Sequence, residues 1–340
     1  MGRSSEDLAI FIGRRLLQLI PVLIGVIVLT FLATHVGAID PCARWFPKAH
    51  MDTIARCQAQ FREPLVVQFF QYFVPLLHGN WGADEYQNPV LPQIAAHVPA
   101  TVELVLAALA IMIVIGIPLG VIAAQYAGRW PDHLVRLFYL SGWATPTYVG
   151  AIVAAIYLGP YLGLPTSGDF SVINPPFPQR THMSVVDALL AGNLPYAIDA
   201  LSHLVLPASV LAFINMGIAT RMTRTSMLEV LPLDFVKSAR MKGLSNLAVL
   251  YKHALRNALI TTTTVLGVTA GGLLAGTVVI EEVFNWPGIG SYAFQAMGAT
   301  GLPNFDGAIG AVIVFAIAVV IANLIADVLY GVLDPRVEWR

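Results

Sequence analysis

The chain has 340 residues, of which 57% are hydrophobic and only 11% charged, with a mean hydropathy of +0.72 and a formal net charge of −1. Charged residues make up about a quarter of an ordinary soluble domain, so the composition excludes that class and indicates an integral membrane protein. A chain with no excess of positive charge is not expected to bind nucleic acid.

Long apolar runs dominate the chain, and a helix that spans a bilayer needs roughly 20 mostly apolar residues. We predict an all-α integral membrane protein with six transmembrane helices at residues 16–36, 101–124, 137–160, 203–221, 260–281 and 307–330. Pro and Gly interrupt several runs, as in "PVLIG" from Pro21 and "ATPTYVG" from Ala144. We interpret them as kinks, because neighbouring helices can satisfy the freed backbone groups. The first run exceeds the 7 to 15 apolar residues of a signal peptide, so we expect it to be retained.

The positions of Lys and Arg predict the orientation of these helices. If residues 1–15 are cytoplasmic, fourteen of the 19 Lys and Arg residues lie in inner segments and five in outer segments. The positive-inside rule then places both termini in the cytoplasm, including the short tail at 336–340. The core between 99 and 335 carries the second to sixth helices.

The first outer loop, residues 37–98, is long and contains both cysteines of the chain, Cys42 and Cys57. On that side of the membrane an oxidising environment lets disulfides persist. We predict a disulfide between them, with two free thiols as the alternative. The same loop contains "REPLVVQFFQYFVPLLHGNWG" from Arg62, whose apolar and aromatic residues indicate short helices.

A basic segment from Asp234 to Leu259 carries three of the four lysines and faces the cytoplasm in this orientation. We predict a short helix with Asp234 as its N-cap and with Phe235, Ala239 and Gly243 on one face. Gly accepts the left-handed conformation that ends many helices, so Gly243 marks the predicted turn.

The second half of this segment is predicted to form an amphipathic helix that Ser245 caps. Its apolar residues recur at helical spacing, and the predicted stripe is Leu247, Leu250, Tyr251, Ala254, Leu255 and Ala258. Small side chains near the turn permit close contact with another backbone. The residues alone favour two interpretations equally, contact with a protein partner and attachment to anionic lipid.

The stretch "RMTRTSMLEVLPLDFVKSARMKGLSNLAVLYKHALRNAL" from Arg221 resembles the cytoplasmic EAA coupling loop of ABC importer permeases of the dipeptide and oligopeptide type. Those loops show an Ala-Arg-x-Lys-Gly core, here 239–243, and His-Ala-Leu-Arg-Asn-Ala, here 253–258. Other stretches resemble the same family in the same order, from about residue 10 to the C-terminus. They are "GRRLLQLIPVLIGVIVLTFLATH", "VPATVELVLAALA", "GIPLGVIAA", "VFNWPGIGSYAFQAM" and "ANLIADVLYGVLDPR".

The resemblance implies a type I ABC importer permease fold in which the loop at 222–259 docks into a cytoplasmic ATPase. The implied ATPase-coupling residues are Asp234, Phe235, Lys237, Ser238, Ala239, Arg240, Lys242, Gly243, Leu244, His253 and Arg256. This chain departs from the family pattern at two points. Lys237 replaces the acidic residue of the Glu-Ala-Ala triplet, and "LPLD" at 231–234 replaces a Gly-Glu-Asp entry.

The chain lacks a P-loop, because Pro, Val, Met and Tyr precede its four lysines instead of Gly. We therefore expect no catalytic residue, metal or cofactor in this chain, with ATP and magnesium bound by partner ATPases. The resemblance implies a second permease subunit, two cytoplasmic ATPase subunits, an extracytoplasmic solute-binding protein and surrounding lipid as partners. It also implies the inner membrane of a prokaryotic cell as the location.

The stretch "EEVFNWPGIG" resembles the outer loop between the last two spans of the family. Glu281, Glu282 and Trp286 are therefore expected near the outer gate or the binding-protein side, with solvated loop acids as the alternative. The implied cargo is di- and oligopeptides. Nickel chelates, oligosaccharides and antimicrobial peptides are the alternatives within the same importer class, and the sequence does not indicate which residues contact the cargo.

An ion-coupled carrier is the main alternative of another class, and it would place ionisable groups deep in the membrane. The predicted spans offer few, and Glu103, His203 and Asp327 lie near span ends. A membrane enzyme is disfavoured because neither a His-Glu-x-x-His nor a Gly-x-Ser-x-Gly motif occurs.

Overall fold

A computed structural model of the chain describes residues 5–35, 63–84, 87–172, 174–298 and 304–333. Within these ranges the chain is helical, with a single isolated β-bridge between Ala83 and Pro89. The all-α prediction is therefore confirmed for the described residues. The predicted Cys42–Cys57 disulfide and the tail at 336–340 lie outside them.

Helices of very different lengths make up the fold, and we number them in chain order. They are α1 (Ser5–His35), α2 (Leu65–Leu77), α3 (Val90–Gln125), α4 (Trp130–Ala144), α5 (Thr147–Leu162), α6 (Ser184–Leu190), α7 (Leu194–Val230), α8 (Asp234–Met241), α9 (248–283), α10 (Ile289–Ala296) and α11 (Phe305–Leu333). Wider π-helical turns occur at Met112–Gly116 in α3, Ala154–Leu158 in α5 and Ala248–Ala254 at the start of α9.

The predicted span at 137–160 is not one continuous helix. The chain breaks between α4 and α5, where Thr145 has φ −82° and ψ 119° and Pro146 follows. The ring of a proline disfavours helical geometry in the residue before it. The interpretation of Pro146 as a kink within one helix is therefore wrong. This proline ends one helix, and a second helix begins immediately after it.

Four helices in the described ranges are long and apolar enough to cross a membrane. They lie at Val90–Gln125, Leu194–Val230, Ala248–Leu274 and Asp306–Ile325. Shorter apolar helices lie at Ile20–Leu32, Leu65–Leu77 and Thr147–Leu162. The six-span count therefore stays a prediction.

The main core lies where α3, α5 and α9 pack around α7. Its fully buried members include Leu104, Leu211 and Leu273. Small residues let the helix backbones approach closely, most clearly at Gly120 of α3. A Cβ on Gly120 would lie 2.7 Å from the carbonyl oxygen of Thr220 and 2.6 Å from Cβ of Thr223 in α7.

Helix α2 confirms the short helix predicted in the first outer loop. Aromatic rings join it to α1, with the Phe31 and Phe69 ring centroids 5.4 Å apart in an edge-to-face arrangement. Leu76 packs with Ile309 and Ile313 of α11. Helix α2 therefore packs against one end of the α1–α11 pair.

The α3–α7 contact generates a first prediction. We expect Gly120→Ala to lower the free energy of unfolding by about 1–3 kcal/mol, because the added methyl group must push the two helices apart. Gly272→Ala in α9 is the matched control, since a Cβ there meets nothing within 4 Å. Because Ala has a higher helix propensity than Gly, we expect the control to be neutral or stabilising by up to about 1 kcal/mol. Thermal unfolding in detergent measures both, and equal shifts would contradict the proposed close packing.

Candidate functional site

The basic segment forms a helix, a tight turn and a second helix, as predicted. We call residues 234–259 the basic hairpin. Helix α8 ends at Met241, and Gly243 takes a left-handed φ of +75° while its N–H donates to the Arg240 carbonyl at 2.9 Å. Ser245 caps the next helix, because its hydroxyl accepts from the Ala248 N–H at 3.3 Å. The turn therefore uses the glycine and serine that the sequence indicated.

The predicted N-cap at Asp234 is wrong. Leu233 is the capping residue, and Asp234 is the first residue of α8. From that helical position its carboxylate accepts from Lys237 Nζ at 2.9 Å, in a pair whose two side chains are both exposed. An exposed pair of this kind contributes little to stability.

The inward face of α8 consists of Val236 and Ala239, which are both buried. The predicted face of Phe235, Ala239 and Gly243 is correct for Ala239 alone, because Phe235 is 42% exposed and Gly243 lies in the open turn. Ala239 therefore packs inside the protein instead of at the surface of the hairpin.

The amphipathic stripe of the second helix is confirmed for Leu250, Ala254, Leu255 and Ala258, which are buried. Buried residues recur five apart, with Val249 above Ala254 and Leu250 above Leu255. The wider turn brings i and i+5 together, and this buries Val249, which α-helical spacing did not predict. Leu247 and Tyr251 of the predicted stripe are consequently exposed, at 69% and 41%.

The outward face of the hairpin mixes cations with apolar side chains. Exposed members of the predicted coupling set are Asp234, Phe235, Lys237, Ser238, Arg240, Lys242, Gly243, Leu244 and Arg256, with His253 half-buried. Met241 is 80% exposed and was not predicted. We call the exposed part of residues 234–247 the hairpin surface.

One apolar cluster joins the hairpin to the ends of three long helices. It contains Val121 and Ala124 of α3, Met227 of α7, Val236 and Ala239 of α8, and Val249, Leu250, Ala254, Leu255 and Ala258 of α9. We call this cluster the hairpin seam. Because its members are nearly fully buried, the hairpin cannot shift without moving the helix ends that share the seam.

A buried ion pair lies close to the seam. Asp132, in the first turn of α4, has a fully buried side chain that accepts from Arg224 Nε at 2.8 Å and Nη2 at 2.9 Å. The Gly128 N–H donates to the same carboxylate at 2.9 Å. The pair fixes α4 to α7 ten residues before α8 begins. Sequence reasoning missed it, although an acid in a first helical turn was a signal.

The predicted outer loop residues Glu281 and Trp286 are buried, so the alternative of a solvated loop acid is wrong for Glu281. The Glu281 carboxylate accepts from the Thr101 hydroxyl at 2.7 Å and from the Gly290 and Ser291 N–H groups at 2.7 and 3.0 Å. The Trp286 indole donates to the Ala100 carbonyl at 2.9 Å. Together they tie α9 and α10 to α3 at the end of the molecule opposite the hairpin.

Glu103 and His203, two of the ionisable residues predicted near span ends, are hydrogen-bonded to backbone groups. Glu103 accepts from the Ser184 and Val185 N–H groups at 2.9 and 3.0 Å. His203 is buried with Nδ1 2.9 Å from the Asp199 carbonyl oxygen. Nowhere in the described ranges do three metal-ligating side chains come together. The side chain of Asp327 is outside the described set.

Comparison with known proteins places this geometry in context. Residues 116–339 match the family described as binding-protein-dependent transport system inner membrane component. The chain is 38% identical to the "Probable D,D-dipeptide transport system permease protein DdpB" of Escherichia coli K12, covering 94% of each sequence. It is 37% identical to the "Di/tripeptide transport system permease protein DppB" of Pseudomonas aeruginosa UCBPP-PA14, covering 97% of this chain and 99% of the relative.

One solved structure has a similar fold. A chain from an inward-facing structure of the MetNI methionine ABC transporter aligns with a TM-score of 0.54 and 15% identity. The alignment covers 72% of this chain and 97% of that chain. At this identity the likeness shows a shared fold alone.

The Asp132–Arg224 pair generates a second prediction. We expect Asp132→Asn to lower the free energy of unfolding by about 3 kcal/mol, because the Arg224 guanidinium loses its carboxylate. Arg136→Gln is the matched control. Its contact with Asp132 is longer, at 3.4 Å, and its side chain is 38% exposed, so we expect a loss below about 1 kcal/mol. Small losses of equal size in thermal unfolding would contradict this role.

The pH dependence of the same variant has a defined sign. Hydrogen bonds from Arg224 hold the pKa of the Asp132 carboxyl below its ordinary value. The stabilisation is therefore complete above the unfolded-state pKa of about 4 and is lost only as pH falls through the lower folded-state pKa. The difference in stability between the wild type and Asp132→Asn should be constant near neutral pH and shrink in acid.

Burial of Glu281 generates a third prediction. In Glu281→Gln one acceptor oxygen becomes an NH₂ group, so either Thr101 or the two α10 amides lose an acceptor. We expect a loss of about 1–3 kcal/mol of unfolding free energy. Glu282→Gln is the control, because Glu282 is half-buried and outside this network, and its effect should stay below about 0.5 kcal/mol. Identical melting temperatures for the two variants would count against the network.

Proposed function

The chain belongs to the family of binding-protein-dependent transport system inner membrane components, and from that premise we propose that it is the permease of an ABC importer for di- and oligopeptides. Its relatives in Escherichia coli and Pseudomonas aeruginosa are named as D,D-dipeptide and di/tripeptide permeases. The chain matches both over nearly their full length. The observation that carries the coupling role is the hairpin, whose inner face is buried in the seam while its outer face is exposed.

The hairpin surface contacts a cytoplasmic ATPase subunit. Its exposed apolar side chains Phe235, Met241 and Leu244 are costly in water and suit the centre of a protein contact. Lys237, Arg240 and Lys242 surround them and can pair with acidic groups on the partner. A Cβ on Gly243 would meet nothing within 4 Å, so the turn presents bare backbone for close approach.

Movement of the ATPase reaches the membrane through two connections. The seam joins α8 to Val121 of α3 and Met227 of α7, and α9 continues directly from the hairpin. The Asp132–Arg224 pair adds α4 to the same group. When the ATPase subunits close on ATP, a displacement of the hairpin is passed to the ends of four helices at once.

The remaining topology follows from the same assignment. Six crossings lie in α1, α3, the α4–α5 pair, α7, α9 and α11, with both termini and the hairpin on the cytoplasmic side of the inner membrane. The end that carries Glu281 and Trp286 then faces the solute-binding protein. A second permease completes the path, and two ATPase subunits supply the energy because this chain has no P-loop.

An ion-coupled carrier is less well supported. Such a carrier needs an intramembrane carboxylate that can exchange protons or ions. Glu103 and Glu281 are instead buried and bonded to backbone N–H groups at helix starts. Buried carboxylates with such hydrogen bonds typically stabilise the contact between helices.

The hairpin generates a fourth prediction. In the importer reconstituted with its partner subunits, we expect Gly243→Glu to lower ATP-driven dipeptide uptake by at least about tenfold, which corresponds to roughly 1.4 kcal/mol of docking free energy. ATP hydrolysis should continue without transport, because the charged side chain obstructs the contact that links them. Uptake and ATPase activity measured on the same vesicles test this.

Two controls separate charge from backbone strain. Gly243→Ala places a methyl group at the same positive φ and should keep most of the uptake. Gly79→Glu places the same charge at another open glycine with φ +81°, in the first outer loop, and should not uncouple the importer. ATP-driven dipeptide uptake by Gly243→Glu at the wild-type level would contradict the docking proposal.

A further inference from the structure

An exposed cation lies at the cytoplasmic end of the fourth predicted span. Arg221 belongs to the candidate membrane helix Leu194–Val230, and its side chain is exposed. Its guanidinium carbon lies 5.7 Å from the ring centroid of Trp143, which is itself 61% exposed. Across the ranges that the structure describes, no carboxylate lies within ion-pair distance of Arg221.

Antiparallel packing of α4 on α7 shows how deep this cation lies. Asp132 pairs with Arg224, and seven residues further into each helix a Cβ on Gly217 would lie 3.1 Å from the ring of Tyr139. Helical side chains lean toward the N-terminus of their helix, so those of Trp143 and Arg221 lean toward each other. They meet near the Tyr139–Gly217 level, about 10 Å deeper than the ion pair.

Arg221 lines a small cavity between α4 and α7. The cavity has a volume of about 210 Å³ and is lined by Tyr139, Leu140, Trp143, Gly217, Ile218 and Arg221. The missing side chain at Gly217 leaves room between the two helices. The walls are apolar and aromatic, and Arg221 supplies the single charge.

Charged side chains inside membrane spans nearly always face protein or a water-filled cavity instead of lipid tails. The Arg221 side chain leans away from the hairpin end, where lipid phosphates of the nearer leaflet would lie. This argues against a lipid headgroup as its counter-ion. A guanidinium presents a fork of N–H donors that fits a carboxylate, and a ring stacked on its face leaves the N–H edges available.

We propose that this groove faces the translocation path and that Arg221 binds the C-terminal carboxylate of the passing peptide, an inference that rests on the proposed peptide transport. Trp143 holds the guanidinium in place, while Leu140 and Ile218 contact the apolar part of the cargo. A single exposed cation gives a weak, transient contact. That suits a conduit, in which the cargo must also leave.

The experiment compares a dipeptide with its C-terminal amide in proteoliposomes that contain the assembled importer and its binding protein. Uptake by each variant is divided by wild-type uptake of the same peptide, so that differences in delivery cancel. We expect Arg221→Gln to lower uptake of the free acid about tenfold more than uptake of the amide, the loss typical of one charged hydrogen-bond partner. Arg221→Lys should keep part of the preference, since it retains the charge but not the fork.

Arg129→Gln is the matched control, because it removes an exposed arginine at the start of α4, outside the groove. It should affect both peptides equally. Equal loss of acid and amide in Arg221→Gln would overturn the proposal. Loss of bound phospholipid or of the second permease from that variant would then identify the actual partner of Arg221. Wild-type importer that moves neither peptide would contradict peptide transport itself.

A second measurement does not require an active Arg221 variant. Leu140→Cys places a thiol in the groove, and peptide mass spectrometry distinguishes its labelling from that of Cys42 and Cys57. A water-soluble thiol reagent should label it in the assembled importer, and saturating free dipeptide should slow the labelling more than the amide does. An unlabelled thiol would show that the groove is closed to water, against lipid or another subunit, and would end the proposal.

Discussion

The burial of Val236 and Ala239 in the hairpin seam joins a polar cytoplasmic segment to the membrane helices. Without these two side chains, α8 would be a short polar helix with no apolar contact to hold it against the bundle. With them, α8 shares one apolar cluster with the ends of α3 and α7 and the beginning of α9. The exposed cations and apolar residues are consequently held on a rigid base, which is what a docking element that transmits force requires.

Buried carboxylates have matching structural roles at the two ends of the molecule. Asp132 joins α4 to α7 near the hairpin, through a guanidinium and a backbone amide. Glu281 joins α9, α10 and α3 at the other end, through a hydroxyl and two backbone amides. Each has several donors, so neither is left unpaired in an apolar region, where an isolated charge would be costly. Both carboxylates therefore hold helices together.

Arg221 differs from both carboxylates in this respect. One helical turn separates it from Arg224, yet Arg224 is neutralised by Asp132 while Arg221 lies over an aromatic ring in an open groove. The walls of that groove are α4 and α7, the two helices that the ion pair fixes to each other beside the hairpin. A shift of the hairpin would therefore reach the groove directly. A cargo contact at this position would be linked to the ATPase cycle by geometry.

Composition, apolar run length and the Lys and Arg bias determined the membrane class and the predicted orientation, because they sum over many residues. Local chemistry determined the hairpin turn, since Gly243 and Ser245 act on neighbours within three residues. Only the tertiary structure decided which face of α8 is buried, because Phe235 and Val236 are both apolar and packing against α3, α7 and α9 buries Val236 alone. Only the tertiary structure showed Glu281 to be buried, because its partner Thr101 lies 180 residues away along the chain. Contacts over such separations depend on how whole helices pack, and no local pattern encodes them.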